Sequence, residues 1–128
     1  NRGLEFAQKT ALAYHAVCKP LCQKLGLTQT AFDILMFLAN NPAAAPNIKA
    51  NLVSVNVDRL VREGYLARRT AENDRRKIEL TCTPLAQSVI EQGRTMQKAF
   101  FQHLLEGMDE GTKTVFFDAI EIIDRNMD

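Results

Sequence analysis

Arg68, Arg69, Arg75 and Arg76 crowd into one short stretch, ARRTAENDRR, between two runs of alternating apolar and polar residues. A guanidinium keeps its charge at physiological pH and holds its N–H donors in a planar fork that matches a phosphate or the edge of a guanine. Just upstream, NIKANLVSVNVDRLVREGYL puts Lys49, Asn51, Ser54, Val55 and Asp58 on the helical face opposite Val53, Val57 and Leu60. Asn can pair with adenine, Ser can bond a base edge or a phosphate, and Val55 can meet a thymine methyl. Lys49, near a helix start with free N–H groups, suits a phosphate. The charge behind this is local. From Lys49 to Lys77, eight Lys/Arg stand against four Asp/Glu, whereas Leu104 to Asp128 holds seven acids and two bases. The net charge of +1 gives no global case for a polyanion partner, so placement carries the argument. The expected duplex-contacting set is Lys49, Asn51, Ser54, Val55, Asp58, Arg68, Arg75 and Arg76. Arg68 and Arg69 are strand neighbours and face opposite sides, so at most one meets the duplex. Asp74 is expected to pair with a neighbouring arginine, because a carboxylate repels phosphate.

Other chemistry is sparse. The chain has two His and three Cys, with no CxxC pair, no Ser-His-Asp or His-Glu arrangement and no Gly-rich phosphate loop. No enzyme, metal or cofactor is therefore expected. Cys18 and Cys22, four apart, share one helix face and cannot close a disulfide without breaking that helix. Packing is their ordinary role, with redox sensing as the alternative. Cys82 is expected in the core. An odd cysteine count suits a reducing cytoplasm. The apolar runs fall far short of a membrane span, and no charged-then-apolar leader opens the chain. Opening on Asn1 rather than Met reads as a trimmed N-terminus.

The elements that must position these residues follow from periodicity. Leu4 to Gln23 has helical spacing, with a kink expected at Pro20 and a stop at Gly26. Thr28 caps a second helix carrying Phe32, Leu35, Met36 and Leu38, which ends at Asn40-Asn41-Pro42. Lys49 to Glu63 is predicted helical and Gly64 stops it. Tyr65–Thr70 and Lys77–Thr83 are predicted strands joined by AENDRR, with Ile78, Leu80 and Cys82 on the buried face. Thr83 caps a long helix opened by Pro84 that tolerates Gly93, and Asp109 caps a final helix. Length and composition suit one domain that is mainly α with a small β-hairpin.

This order, with Val53-Ser54, Val57-Asp58-Arg59-Leu60-Val61, Glu63-Gly64-Tyr65-Leu66-Ala67-Arg68, Asp74-Arg75-Arg76 and Leu80-Thr81, resembles the MarR family (multiple antibiotic resistance regulators). These are dimeric winged helix-turn-helix repressors of bacteria and archaea. By element order the resemblance covers nearly the whole chain, and it is tight from Val53 to Thr83. It implies a winged helix-turn-helix with N- and C-terminal dimerisation helices. Residues 24–83 would form the DNA-binding lobe, and 1–23 with 84–128 the dimerisation helices. It also implies a cytoplasmic homodimer on a palindromic operator, acting as a transcriptional repressor released by a small aromatic or phenolic ligand. Tyr14, His15, Cys18, Phe32 and Met36 are the ligand candidates, and one wing arginine would enter the minor groove. Phe6, Phe100, Phe101, Phe116, Phe117, Ile120, Ile122 and Ile123 are candidates for the dimer arms.

Two departures stand out. Asn56 occupies a position that is apolar in the family, and Val55 one that is often basic. The family also carries about ten more residues before the recognition helix, forming the first helix of the motif. The expectation is that residues are absent near Ala43–Asn47, which consecutive Cα spacings of about 3.8 Å would refute. Two other readings stand beside the regulator: a winged helix that binds protein, and a cysteine-based redox-sensing regulator.

Overall fold

The boundaries between the first two helices have local causes. In the computed structural model, which describes residues 1–41, 48–49 and 55–128, α1 spans Arg2–Leu25. Asn1 caps it by accepting from the N–H groups of Gly3 and Leu4. Pro20 lies inside the helix. Gly26 ends it in the left-handed region at φ 68°, and the Leu27 N–H reaches back to the Cys22 carbonyl at 3.0 Å. Two residues later the Thr28 hydroxyl accepts from the Ala31 N–H at 3.1 Å and starts α2, Gln29–Asn40. The α1–α2 corner is thus tied down at both ends.

The next element departs from expectation. Ile48–Lys49 form a short strand, β1, rather than the first turn of a helix, and among the described residues α3 spans Val55–Arg62. The backbone of Lys49 pairs with Lys77, far away in sequence, and that pairing overrides the local helical pattern. Residues Ala43–Asn47, where the question of absent residues arose, lie outside the described residues. β2 spans Leu66–Ala71 and β3 spans Asp74–Cys82, giving an antiparallel sheet in the order β1-β3-β2. The turn is Glu72-Asn73, so Arg75 and Arg76 belong to β3 and not to a six-residue tip. Thr70 pairs with Ile78 but Ala71 with Asp74, leaving residues 75–77 in a bulge. A bulge bends and twists its strand.

After the sheet, Pro84–Ala86 form a 3-10 turn that leads into α4, Gln87–Leu104. Thr83 sits at the predicted cap position, but its hydroxyl donates to the Gly64 carbonyl and makes no cap bond. Asp109 caps α5, Glu110–Met127, accepting from the Thr112 N–H at 2.7 Å. That bond holds the Asp109 carboxyl below the usual carboxylate range.

The chain divides into two compact units, Asn1–Gln97 and Lys98–Asp128. In the first, Leu35, Leu38, Leu60, Leu66, Leu80 and Ile90 join one buried cluster. Burying one such side chain stabilises by about 1.5–3 kcal/mol, so these contacts set which face of α3 turns inward. A second cluster holds Cys18, Cys22, Phe32 and Met36, edged by Tyr14, Leu21 and Met96. Gly93 lets α4 approach it: an added Cβ would stand 2.5 Å from Met36 Sδ and 3.1 Å from Phe32 Cε1. In the second unit, Phe101, Phe116 and Phe117 gather with ring centroids 5.5–6.3 Å apart.

Candidate nucleic-acid interface

α3 is too short to be stable alone, and its valines are weak helix formers. It is fixed by its three sides. Val57 and Leu60 enter the core. Asn56 and Arg59, one turn apart, face the α1–α2 corner: Asn56 Oδ1 accepts from the Thr28 hydroxyl at 3.1 Å, and Arg59 donates to the Gly26 carbonyl at 3.2 Å. Arg59 also pairs with Glu63 at 2.8 Å.

The remaining stripe points to solvent. Val55 and Arg62, seven apart, share it, and Val55 is 79% exposed. Asp58 lies between them in helical register, but its carboxylate bonds Arg68 of β2 at 2.5 Å. The pair masks the one negative charge on this stripe. Both partners are largely exposed, so the pair contributes under about 1 kcal/mol to stability. Its effect is to fasten α3 to the sheet. Arg69, the next residue, turns to Glu79 on β3 at 2.7 Å, and that carboxylate raises its pKa further. Arg75 and Arg76 are exposed on the bulged part of β3.

Of the residues singled out in sequence, the structure brings together Val55, Asp58 and Arg68. Arg75 and Arg76 lie on the same hairpin as Arg68. Lys49 is on the opposite edge strand from Arg68. Asn51 and Ser54 lie outside the described residues. Arg62, on the exposed stripe, escaped the sequence reading, although its seven-residue spacing from Val55 was visible.

Residues 25–77, which span this helix and most of the sheet, match the MarR family model. A solved MarR protein from Peptoclostridium difficile superposes with a TM-score of 0.79 at 17% identity, covering 99% of this chain and 88% of that one. Residues 25–77 are thus similar to the MarR family, and the chain has the MarR fold. Two further MarR-type folds are informative. A MarR family transcriptional regulator from Listeria monocytogenes, solved with a 26mer DNA, superposes at TM-score 0.77 with 17% identity, over 97% of this chain and 87% of that one. BpsR of Bordetella bronchiseptica, whose DNA binding is regulated by 6-hydroxynicotinic acid, superposes at 0.68 with 18% identity, over 97% and 99%. At these identities the likeness is one of fold. No curated protein sequence matches the chain.

Of the five ligand candidates, the fold gathers four and sets His15 apart. Cys18, Phe32 and Met36 are packed together, with Tyr14 at their edge. Tyr14 accepts from Gln97 at 2.8 Å. His15 is exposed and lines a separate hollow of about 440 Å³ with Lys19, Cys22, Gln23, Leu27 and Gln29. Cys18 and Cys22 are free thiols buried side by side in that core, and burial pushes the Cys22 thiol up. Cys82 is half-buried at the edge of the main core. Among the described residues, no three His, Cys, Asp or Glu side chains gather as metal ligands, and no helix is long and apolar enough to cross a membrane.

Proposed function

We propose that this protein is a MarR-family, DNA-binding transcriptional regulator that reads a specific duplex sequence as a homodimer on a palindromic operator, and that it is a repressor released by a small aromatic or phenolic ligand. The observation that carries the reading is the solvent-facing stripe of α3, Val55 and Arg62, fastened through Asp58–Arg68 to a hairpin that exposes Arg75 and Arg76. A helix with a free apolar-and-basic stripe fits the major groove, and a bent arginine ribbon beside it fits the backbone or the minor groove. A protein-docking winged helix would instead favour a continuous apolar stripe, which Arg62 interrupts. A thiol whose pKa is raised by burial, as at Cys22, is a poor redox sensor.

The test is titration of fluorescent duplexes, selected from a random pool, over a range of salt. Replacing Arg75 and Arg76 together by Ala is expected to weaken binding and flatten the salt slope by about two. An unchanged slope removes the hairpin from the DNA. A protein that stays monomeric and prefers no duplex to bulk polyanion overturns the reading. The ligand part is checked by a thermal-shift series with small aromatic acids, in which a binder raises the midpoint and lowers operator affinity.

A further inference from the structure

Thr28 carries one hydroxyl, and both of its roles are taken. The oxygen accepts from the Ala31 N–H at 3.1 Å, capping α2, and the single hydrogen goes to Asn56 Oδ1, also at 3.1 Å. Asn56 is the second residue of α3. One turn on, along the same stripe, Arg59 donates to the Gly26 carbonyl at 3.2 Å. Both bonds end on residues 26–28, the corner that α1 and α2 lock by their own caps. The opposite flank of the helix is held by Asp58 to Arg68. The buried Val57 and Leu60 decide that α3 stays docked, but apolar contacts are non-directional and leave its rotation loosely set. Directional bonds on the two flanks set that rotation.

We infer that Asn56 is a positioning residue: through the Thr28 hydroxyl it fixes the rotation of α3, and so the direction in which Val55 and Arg62 face. This inference rests on the DNA-binding reading above. The bonds are open to water and individually weak, so their loss shifts orientation without unfolding the domain. The signature is lost discrimination between duplexes at nearly constant stability and constant non-specific affinity.

Asn56→Leu removes the acceptor at almost the same size and Asn56→Asp keeps an acceptor; Thr28→Val removes the donor together with the α2 cap, so its stability is expected to fall, and Thr28→Ser keeps both. Each variant is titrated with the selected operator and with a random duplex. Asn56→Leu is expected to lower the operator-to-random ratio about tenfold, with random-duplex affinity within about twofold of wild type. Thr28→Val should give the same loss, the double variant no more, and Thr28→Ser none. Asn56→Asp should retain more of the ratio than Asn56→Leu. If Asn56→Leu loses the ratio while Thr28→Val keeps it, Asn56 touches a base and the positioning role is wrong. Equal losses on both duplexes, additive losses, or no loss also overturn it. Amide hydrogen exchange on the free protein gives a second arm: Asn56→Leu should speed exchange in α3 relative to α4. If wild type prefers no duplex, the DNA-binding reading fails, and exchange alone decides the clamp, with unchanged α3 rates refuting it.

Discussion

Tyr14 shows what the fold does to a single side chain. Its ring edges the Cys18–Phe32–Met36 cluster, and burial pushes its pKa from 10.0 to about 12. A bond and charge repulsion from Cys18 push the same way, while the Gln97 amide opposes them. A raised tyrosine pKa means that the unfolded chain loses its proton first. The stabilisation is therefore complete below about pH 10 and is lost as pH climbs towards 12. With two Tyr and no Trp in the chain, phenolate absorbance reads this directly. Tyr14→Phe should remove the transition near pH 12, and its persistence would refute the assignment. Tyr14 and His15 were both expected as ligand candidates, yet helical geometry turns adjacent residues to different sides. Tyr14 goes inward to Gln97, and His15 faces solvent.

At the scale of elements, α4 and α2 meet where Gly93 faces Phe32 and Met36. In sequence Gly93 read as a tolerated weakness in a long helix. In the fold it is the point of close approach. A larger residue gains about 1 kcal/mol or less of helix propensity and costs about 1–3 kcal/mol in overpacking, so the second effect wins. Gly93→Val should lower the urea midpoint by an amount equal to about 2 kcal/mol, and an unchanged midpoint would show that Met36 yields freely. α3 teaches the complementary point. Its buried stripe was legible from the spacing of Val57 and Leu60, but the strand that precedes it was not. Lys49 is drawn into β1 by Lys77, and Asp58 is drawn to Arg68.

For the whole molecule, the distribution of apolar surface is the dominant fact. No residue of α5 is buried, and Val115 and Met127 are 69% and 73% exposed. On α1, Leu4, Phe6 and Leu12 are likewise exposed. Surface of this kind supports the homodimer proposed above, since monomers rarely leave such patches in water. Two linked half-sites bind far more tightly than one. Ile123→Glu, which places a charge on that surface, should convert the dimer to a monomer by sedimentation and weaken operator binding about 100-fold, with helicity retained. A wild-type monomer would refute the homodimer, and a variant that stays dimeric would place the subunit contact elsewhere.

Sequence alone determined the helix signals at Gly26, Thr28 and Asp109, the alternation of Ile78 and Leu80, and the arginine-rich hairpin. Each is settled by residues within a turn or two of one another, where caps, periodicity and turn chemistry act. Tertiary structure alone decided that Lys49 would be a strand residue, that the hairpin arginines would sit on a bulged strand, that Thr83 would bond Gly64 in place of capping its helix, and that Asn56 would bond Thr28. Each of these depends on an atom brought close from a distant part of the chain. Local propensities differ by only about 1 kcal/mol per residue, so a distant backbone ladder or side-chain partner is enough to reverse them.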